Sequence, residues 1–407
     1  MNRITRSGRM ACCRAIFLLA AMIVVIAAST HSRADMGTCG GASITLPFTD
    51  VPAANGFFCA IAEAYFAGLT NGTTATTYSP AANVPREQMA AFVTRTMDQS
   101  LRRGSRRASL NQWWTPNSHN DLAMTDVGPS SPNAVACDGA DVWVSSADGT
   151  ISRVRASDGR LLETWTGATQ PYGVVAAKGR IFIAGGRSAL HRLYRIDPRD
   201  PAGAVTILSE TLGDSPYGIT FDGARVWTAN IGGSVSIVEL SPVSVTTVTA
   251  GFNSVVGILY DGSNIWVTDR TDDTLKKLDS NGAILQTLQM EDSPGQPIFD
   301  GINIWVPNYV GTVTVVRVKD SSGNALVTPF ILATLTGNGL SGIEAGAFDG
   351  ERVLITNAIG NSVSLWKAAD LSPLGSVGTG APNGPTGACS DGLSFWIPLQ
   401  SGKLVRF

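Results

Sequence analysis

The sequence predicts a mostly β chain in which residues 121–407 close into a seven-bladed β-propeller, behind a small α-helical N-terminal domain. Three observations lead there. A short unit recurs seven times with a period near 40 residues. Each copy reads as four short strands separated by turn residues. The last copy stops at Phe407, one strand short of a full blade.

The unit opens with Asp-Gly and continues as a β-branched–aromatic–β-branched strand. It is Asp138-Gly139 with Val142-Trp143-Val144, Asp222-Gly223 with Val226-Trp227-Thr228, and Asp261-Gly262 with Ile265-Trp266-Val267. Asp300-Gly301 with Ile304-Trp305-Val306 and Asp391-Gly392 with Phe395-Trp396-Ile397 repeat it. Two copies vary, Lys178-Gly179 with Ile181-Phe182-Ile183 and Asp349-Gly350 with Val353-Leu354-Ile355. Successive units are 40, 44, 39, 39, 49 and 42 residues apart. Asp-Gly tolerates the positive φ of a tight hairpin turn, and the aromatic suits a strand buried between neighbouring blades. Second turns such as Gly232-Gly233, Asp272-Asp273 and Gly360-Asn361 lead to third strands such as Ser234–Val238. Outer strands such as Leu161–Thr166 or Ile284–Gln289 complete the units.

The ends of the chain predict how the ring closes. The seventh unit holds three strands, near 386–389, 394–399 and 403–407, and the missing outer strand has its counterpart in Leu122–Val127. Pairing of 121–127 with 403–407 removes both free sheet edges. Residues 121–407 then supply seven blades of 41 residues on average.

Ahead of the ring, Arg3, Arg6, Arg9 and Arg14 precede an apolar run from Ala15 to Ala28, with Ser32-Arg33-Ala34 as a small-x-small exit. This reads as a signal peptide over residues 1–34, and the run is too short to span a bilayer. The expected mature chain is secreted or held at a cell surface, with no transmembrane segment. Cleavage removes five arginines and no acid, so the formal charge goes from −2 to −7. That balance gives no general attraction to nucleic acid. In an oxidising compartment Cys39 and Cys59 are expected to close a 21-residue disulfide loop. Cys137 and Cys389 sit one place apart in their repeats, and a one-residue offset points side chains to opposite faces. They read as small buried residues.

Residues 36–104 are helix-permissive and carry a separate signature. Phe48-Thr49-Asp50-Val51-Pro52 precedes an amphipathic stretch from Phe57 to Phe66, then Gly68-Leu69-Thr70-Asn71-Gly72, Tyr78-Ser79-Pro80 and Val84-Pro85-Arg86-Glu87-Gln88-Met89-Ala90. Pro85 fits a first helical position, and Met89, Phe92 and Val93 share one apolar helix face. In the order of these elements the segment resembles the S-layer homology (SLH) domain. The resemblance implies association with a bacterial cell surface through wall polysaccharide or an envelope protein. It points to Asp50, Arg86 and Gln88 as wall-contacting positions. Pro85 and Gln88 stand where the family's Thr-Arg-Ala-Glu motif has threonine and glutamate, and one copy is present. Arg86 therefore reads either as a contact to an anionic polymer or as a local pairing group. In the linker 105–120, Arg106 and Arg107 continue from Arg102-Arg103 and read either as a solvated run or as a contact to wall phosphates or lipid headgroups, and Trp113-Trp114 reads either as packing against the propeller or as a carbohydrate platform.

The ring lacks the Gly-His and Trp-Asp dipeptides of WD40 blades. It is similar to the extracytoplasmic propellers of the NHL, YVTN and virginiamycin B lyase-like type, which implies either a binding scaffold or a lyase or lactonase acting in the central channel. The expected mature chain holds two histidines, His119 and His191, and the sequence has no Gly-x-Ser-x-Gly, HExxH or phosphate-cradling glycine loop. No cofactor or resident metal is implied. A polar column recurs after the second strand, at Ser146, Asn230, Asp269, Asn308 and Asn357, with Gly185 and Leu399 breaking it. Its recurrence favours turn capping, because a ligand site is not seven-fold symmetric. Asp269 with Asp272 and Asp273 has the chemistry to hold calcium. Glu344 breaks the repeat just ahead of the sixth inner strand, where other units carry Tyr172, Tyr217 or Val255, and is the candidate channel acid. The leading expectation is a surface-associated binding or scaffold protein, with a propeller enzyme as the alternative.

Overall fold

The computed structural model describes residues 36–39, 42–66, 69–103, 123–128, 131–186, 190–379 and 384–407. The expected signal peptide, the 105–120 linker, His119 and Leu122 lie outside the described residues. The chain divides into two compact units, with the break between Gln99 and Ser100.

The N-terminal unit pairs β1 (Met36–Cys39) antiparallel with β2 (Ala42–Thr45) and adds α1 (Phe58–Phe66) and α2 (Arg86–Arg103). Leu46, Phe48, Val51, Phe58, Ile61 and Ala62 form its core, and the Phe48 ring stands edge-on to Tyr65. A disulfide joins Cys39 to Cys59, with Cα atoms 5.6 Å apart. The apolar face expected on α2 is left uncovered. Met89 and Val93 are about half exposed, because α1 and the loop around Phe48 already close this core.

The second unit is the seven-bladed propeller. Seven four-stranded antiparallel sheets run in chain order from an inner to an outer strand. Blade four, for example, comprises Val255–Tyr260, Ile265–Asp269, Thr274–Leu278 and Ile284–Gln289. Blade seven takes Cys389–Ser390, Phe395–Leu399 and Lys403–Arg406 from the C-terminus and Ala123–Asp126 from before blade one. The register runs Ala123↔Arg406, Met124↔Val405, Thr125↔Leu404 and Asp126↔Lys403, so the expected closure is the observed one. No helix among the described residues is long and apolar enough to cross a membrane.

The Asp-Gly unit does more than turn the chain. Gly262 has a φ of +90°, as the turn requires. Asp261 Oδ1 accepts the amides of Ser263 and Asn264, while Oδ2 accepts the Trp266 indole N–H at 2.7 Å. The same carboxylate-to-indole bond recurs as Asp138–Trp143, Asp222–Trp227, Asp300–Trp305 and Asp391–Trp396. With its N–H satisfied at home, each indole packs against the next blade. Trp266 meets Ile304 and Val306, and Trp396 meets Val142 and Val144 across the closure. The two variant units lack the tryptophan, and only one of them also lacks the aspartate. Lys178 goes with Phe182, and in blade six Asp349 holds the buried Arg352 guanidinium at 2.8 Å, with Leu354 in place of tryptophan.

Variation in blade length is confined to the outer half. In each of the seven blades the residue after the second strand donates its N–H to the carbonyl sixteen residues earlier, as Ala147 to Ser131, Arg270 to Ser254 and Gln400 to Gly384. The widest interval, after Asp300, is taken up by the eleven-residue outer strand Ala325–Leu335. The axial half of the ring is thus fixed in register.

One expectation is corrected here. Cys137 and Cys389 are joined by a disulfide, with Cα atoms 5.8 Å apart. A one-residue offset separates faces within one sheet. These cysteines lie on the inner strands of blades one and seven, two sheets that pack against each other, so the offset rule does not apply between them.

Candidate functional site

The polar column resolves into architecture. Asn230 Nδ2 donates to Ser234 and Ser236, Asn308 Nδ2 to Thr312 and Thr314, and Asn357 Nδ2 to Ser362 and Ser364. In each blade the amide ties the end of the second strand to alternate residues of the third. Blade four makes the same tie with charge. Asp269 is fully buried, and Lys276, at the position of Ser236 and Thr314, donates to it at 2.6 Å and to Asp272 at 2.9 Å. Asp269 also accepts the amides of Asn253 and Ser254. The hydrogen bond from Lys276, aided by Asn253, holds the Asp272 carboxyl below its usual range. The ammonium therefore occupies the space that a calcium ion between Asp269 and Asp272 would need.

The side chains that break the repeat converge on the axis. A register shift at the head of the inner strands sets one residue out of the ladder, between Pro132 and Ala134, Pro171 and Val174, Pro216 and Gly218, Val255 and Gly257, and Ile343 and Gly346. Asn133, Tyr172, Tyr217, Val256 and Glu344 occupy these bulges. Val256 is thus the counterpart of Glu344, in place of Val255, and Glu344 lies inside the inner strand Ile343–Phe348. The inner strands approach closely. A Cβ on Gly218 would stand 2.6 Å from the Val256 carbonyl oxygen, and one on Gly295 would meet the Glu344 backbone.

Between these strands lies a cavity of about 200 Å³ lined by Asn133, Tyr172, Tyr217, Arg270, Gln296 and Glu344, among others. Among its described lining residues Glu344 is the one acid. Its Oε1 accepts from Arg270 Nη2 at 3.4 Å, with both side chains about one-third exposed. The Tyr172 and Tyr217 rings meet tilted by 34°, with centroids 4.8 Å apart. The side-chain amides hold neighbouring blades, Asn133 Nδ2 donating to the Pro171 carbonyl at 2.6 Å and Gln296 Nε2 to that of Val256 at 2.9 Å. The arrangement offers an ion pair and an aromatic surface to one cavity. It suits binding, since the Glu344 carboxylate already has the Arg270 guanidinium as a partner.

Arg270 is the residue that sequence reasoning missed. It directly follows Asp269, at the place held by Ala147, Gly186, Ile231, Tyr309, Ala358 and Gln400 in other blades, and its charge is the signal.

In the N-terminal unit Asp50 lies apart from Arg86 and Gln88 in role. Asp50 accepts the amides of Tyr78 and Ser79 at 2.8 and 2.7 Å. Burial raises its pKa, but these two bonds outweigh it and hold the carboxyl below its usual value. It is a loop clamp. Arg86 and Gln88 are exposed on the first turn of α2.

Comparison with solved structures agrees with the described fold. The chain is similar to the WD40 β-propeller domain of Doa1, with a TM-score of 0.57 and 14% identity, covering 70% of this chain and 97% of that one. Matches extend to 1650 solved chains, so the likeness carries the fold and no particular activity. No protein-family model matches the sequence, and no curated protein matches it. What the comparisons support is a β-propeller.

Proposed function

We propose that this protein is an exported, envelope-associated recognition scaffold, its N-terminal unit associating with the cell surface and its propeller binding a partner. One observation carries the propeller half. The recurrent Asn230, Asn308 and Asn357 are tied inside their blades, and the irregular residues line one cavity between the inner strands. The surface half is supported by the SLH-like order of motifs around Asp50 and Arg86 and by the arginine-led apolar run before Ala34. Wall polysaccharide or an envelope protein is the surface partner this reading calls for. The test is sedimentation of the mature full-length protein with purified bacterial envelopes. Retention is expected, with a several-fold loss in Arg86→Ala. Protein that stays wholly in the supernatant removes the surface half.

A second reading, a lyase or lactonase of the NHL and virginiamycin B lyase-like type, rests on Glu344 at the cavity. It requires that Glu344→Gln abolish turnover of a lactone or uronate panel while leaving the melting temperature unchanged.

A further inference from the structure

The channel opens on the end of the blades that carries the second turns and the crossovers into the inner strands, and this end is chemically lopsided. From blade three to the crossover into blade five it presents carboxylates. Asp214 is 63% exposed, Glu291 and Asp292 are exposed, and Asp273 is partly so. Among the described residues, the cations on the same arc are already engaged, Arg192 with Glu210, Arg270 with Glu344, and Lys276 inside blade four with Asp269 and Asp272, while the His191 ring stands 3.6 Å from Asp214. Next around the ring, blades five and six present Tyr309, Val310 and Ile359, which are 43%, 54% and 60% exposed. This patch has a firm base. Tyr309 N–H is tied to the Ser293 carbonyl, and Ile359 lies against Gly342 where a Cβ would clash with it.

We propose that this end of the propeller docks a cationic peptide segment of a partner protein. One apolar or aromatic side chain of that segment sits on Tyr309, Val310 and Ile359, and its lysines or arginines lie over the carboxylate arc. The inference names the partner chemistry of the recognition reading above and rests on it. Exposed apolar surface beside an excess of negative charge is what a charge-matched peptide with a buried anchor covers. Like-charge repulsion keeps anionic glycans, nucleic acid and acidic lipid surfaces off the same face.

The test is panning of a display library of random twelve-residue peptides against the full mature protein, followed by calorimetric titration of the enriched peptides. Enriched sequences are expected to be net positive with an aliphatic or aromatic anchor. Val310→Ser/Ile359→Ser should weaken them at least about tenfold. Glu291→Gln/Asp292→Asn should weaken them roughly fivefold and flatten the salt dependence. All four positions are exposed, so thermal melts of both variants should match the parent. Enrichment of acidic or neutral peptides, no enrichment at all, or binding that ignores both variants overturns the inference. Envelope sedimentation of the same preparation separates the two readings: protein that is retained there yet binds no cationic peptide discards this inference alone.

Discussion

Trp266 donates its indole N–H to Asp261 at 2.7 Å, with both side chains almost fully buried. One carboxylate oxygen closes the turn and the other aims the indole at the next blade, so a local motif and an inter-blade contact share one residue. We expect Asp261→Asn and Trp266→Phe to be non-additive in a double-mutant cycle. The coupling should be about 1.5–3 kcal/mol, typical of a hydrogen bond to a charged group. Chemical denaturation of the four proteins measures it, and additivity would separate the two roles.

Blade four offers an exchange test. Lys276→Ser alone leaves Asp269 buried without its cation and should cost about 3–5 kcal/mol. Adding Asp269→Asn rebuilds the Asn-with-serine tie of blades three and six. The double variant should regain most of that loss. A double variant as unstable as the single would mean that the Asn tie does not transfer between blades.

These two sites also mark what a sequence can disclose. The six Asp-Gly units and one Lys-Gly unit, and a final unit with three strands, were enough to place the ring and its closing strand, because turn chemistry and strand period are local. Ser146, Asn230 and Asn357 were visible as a column for the same reason. Lys276 was not visible as the partner of Asp269, because its significance depends on third-strand register. The Cys137–Cys389 bond required knowing how two sheets face each other. The Arg270–Glu344 pair joins residues 74 apart, on blades four and six, that meet only at the axis.

The disulfide between Cys137 and Cys389 closes a loop of 252 residues in sequence separation. In the chain-entropy account such a crosslink contributes about 5 kcal/mol. Cys137→Ser/Cys389→Ser should therefore lower the propeller's melting temperature by several degrees, whereas Cys39→Ser/Cys59→Ser should leave that transition in place. Calorimetry with both variants checks this, and an unchanged propeller transition in the first variant would contradict it.

Acid should weaken the Asp-Trp motif in a defined direction. Burial raises the Asp222 pKa, but the Arg225 amide, the Trp227 indole, the Ala224 amide and the Arg225 charge together hold it below its ordinary value. In the unfolded chain the group titrates near pH 4. Its contribution is complete above that pH and is lost as pH falls through the lowered folded value. Melting temperature should drop below about pH 4, with a shallower slope in Asp222→Asn. Parallel slopes would count against the motif.

The closing strand also sets an order of events during synthesis. Asp126 pairs with Lys403 across 277 residues, so a growing chain presents an unpaired strand from its first blade onward and cannot seal the ring until residues 403–406 emerge. Every earlier blade can pair its own strands as it appears, since each is contiguous in sequence. Loss of residues 403–407 would remove the strand between Phe395–Leu399 and Ala123–Asp126 and leave both as open edges on one molecule, each free to pair with an edge of another. Head-to-tail oligomers, instead of merely weakened monomers, are the form such damage should take.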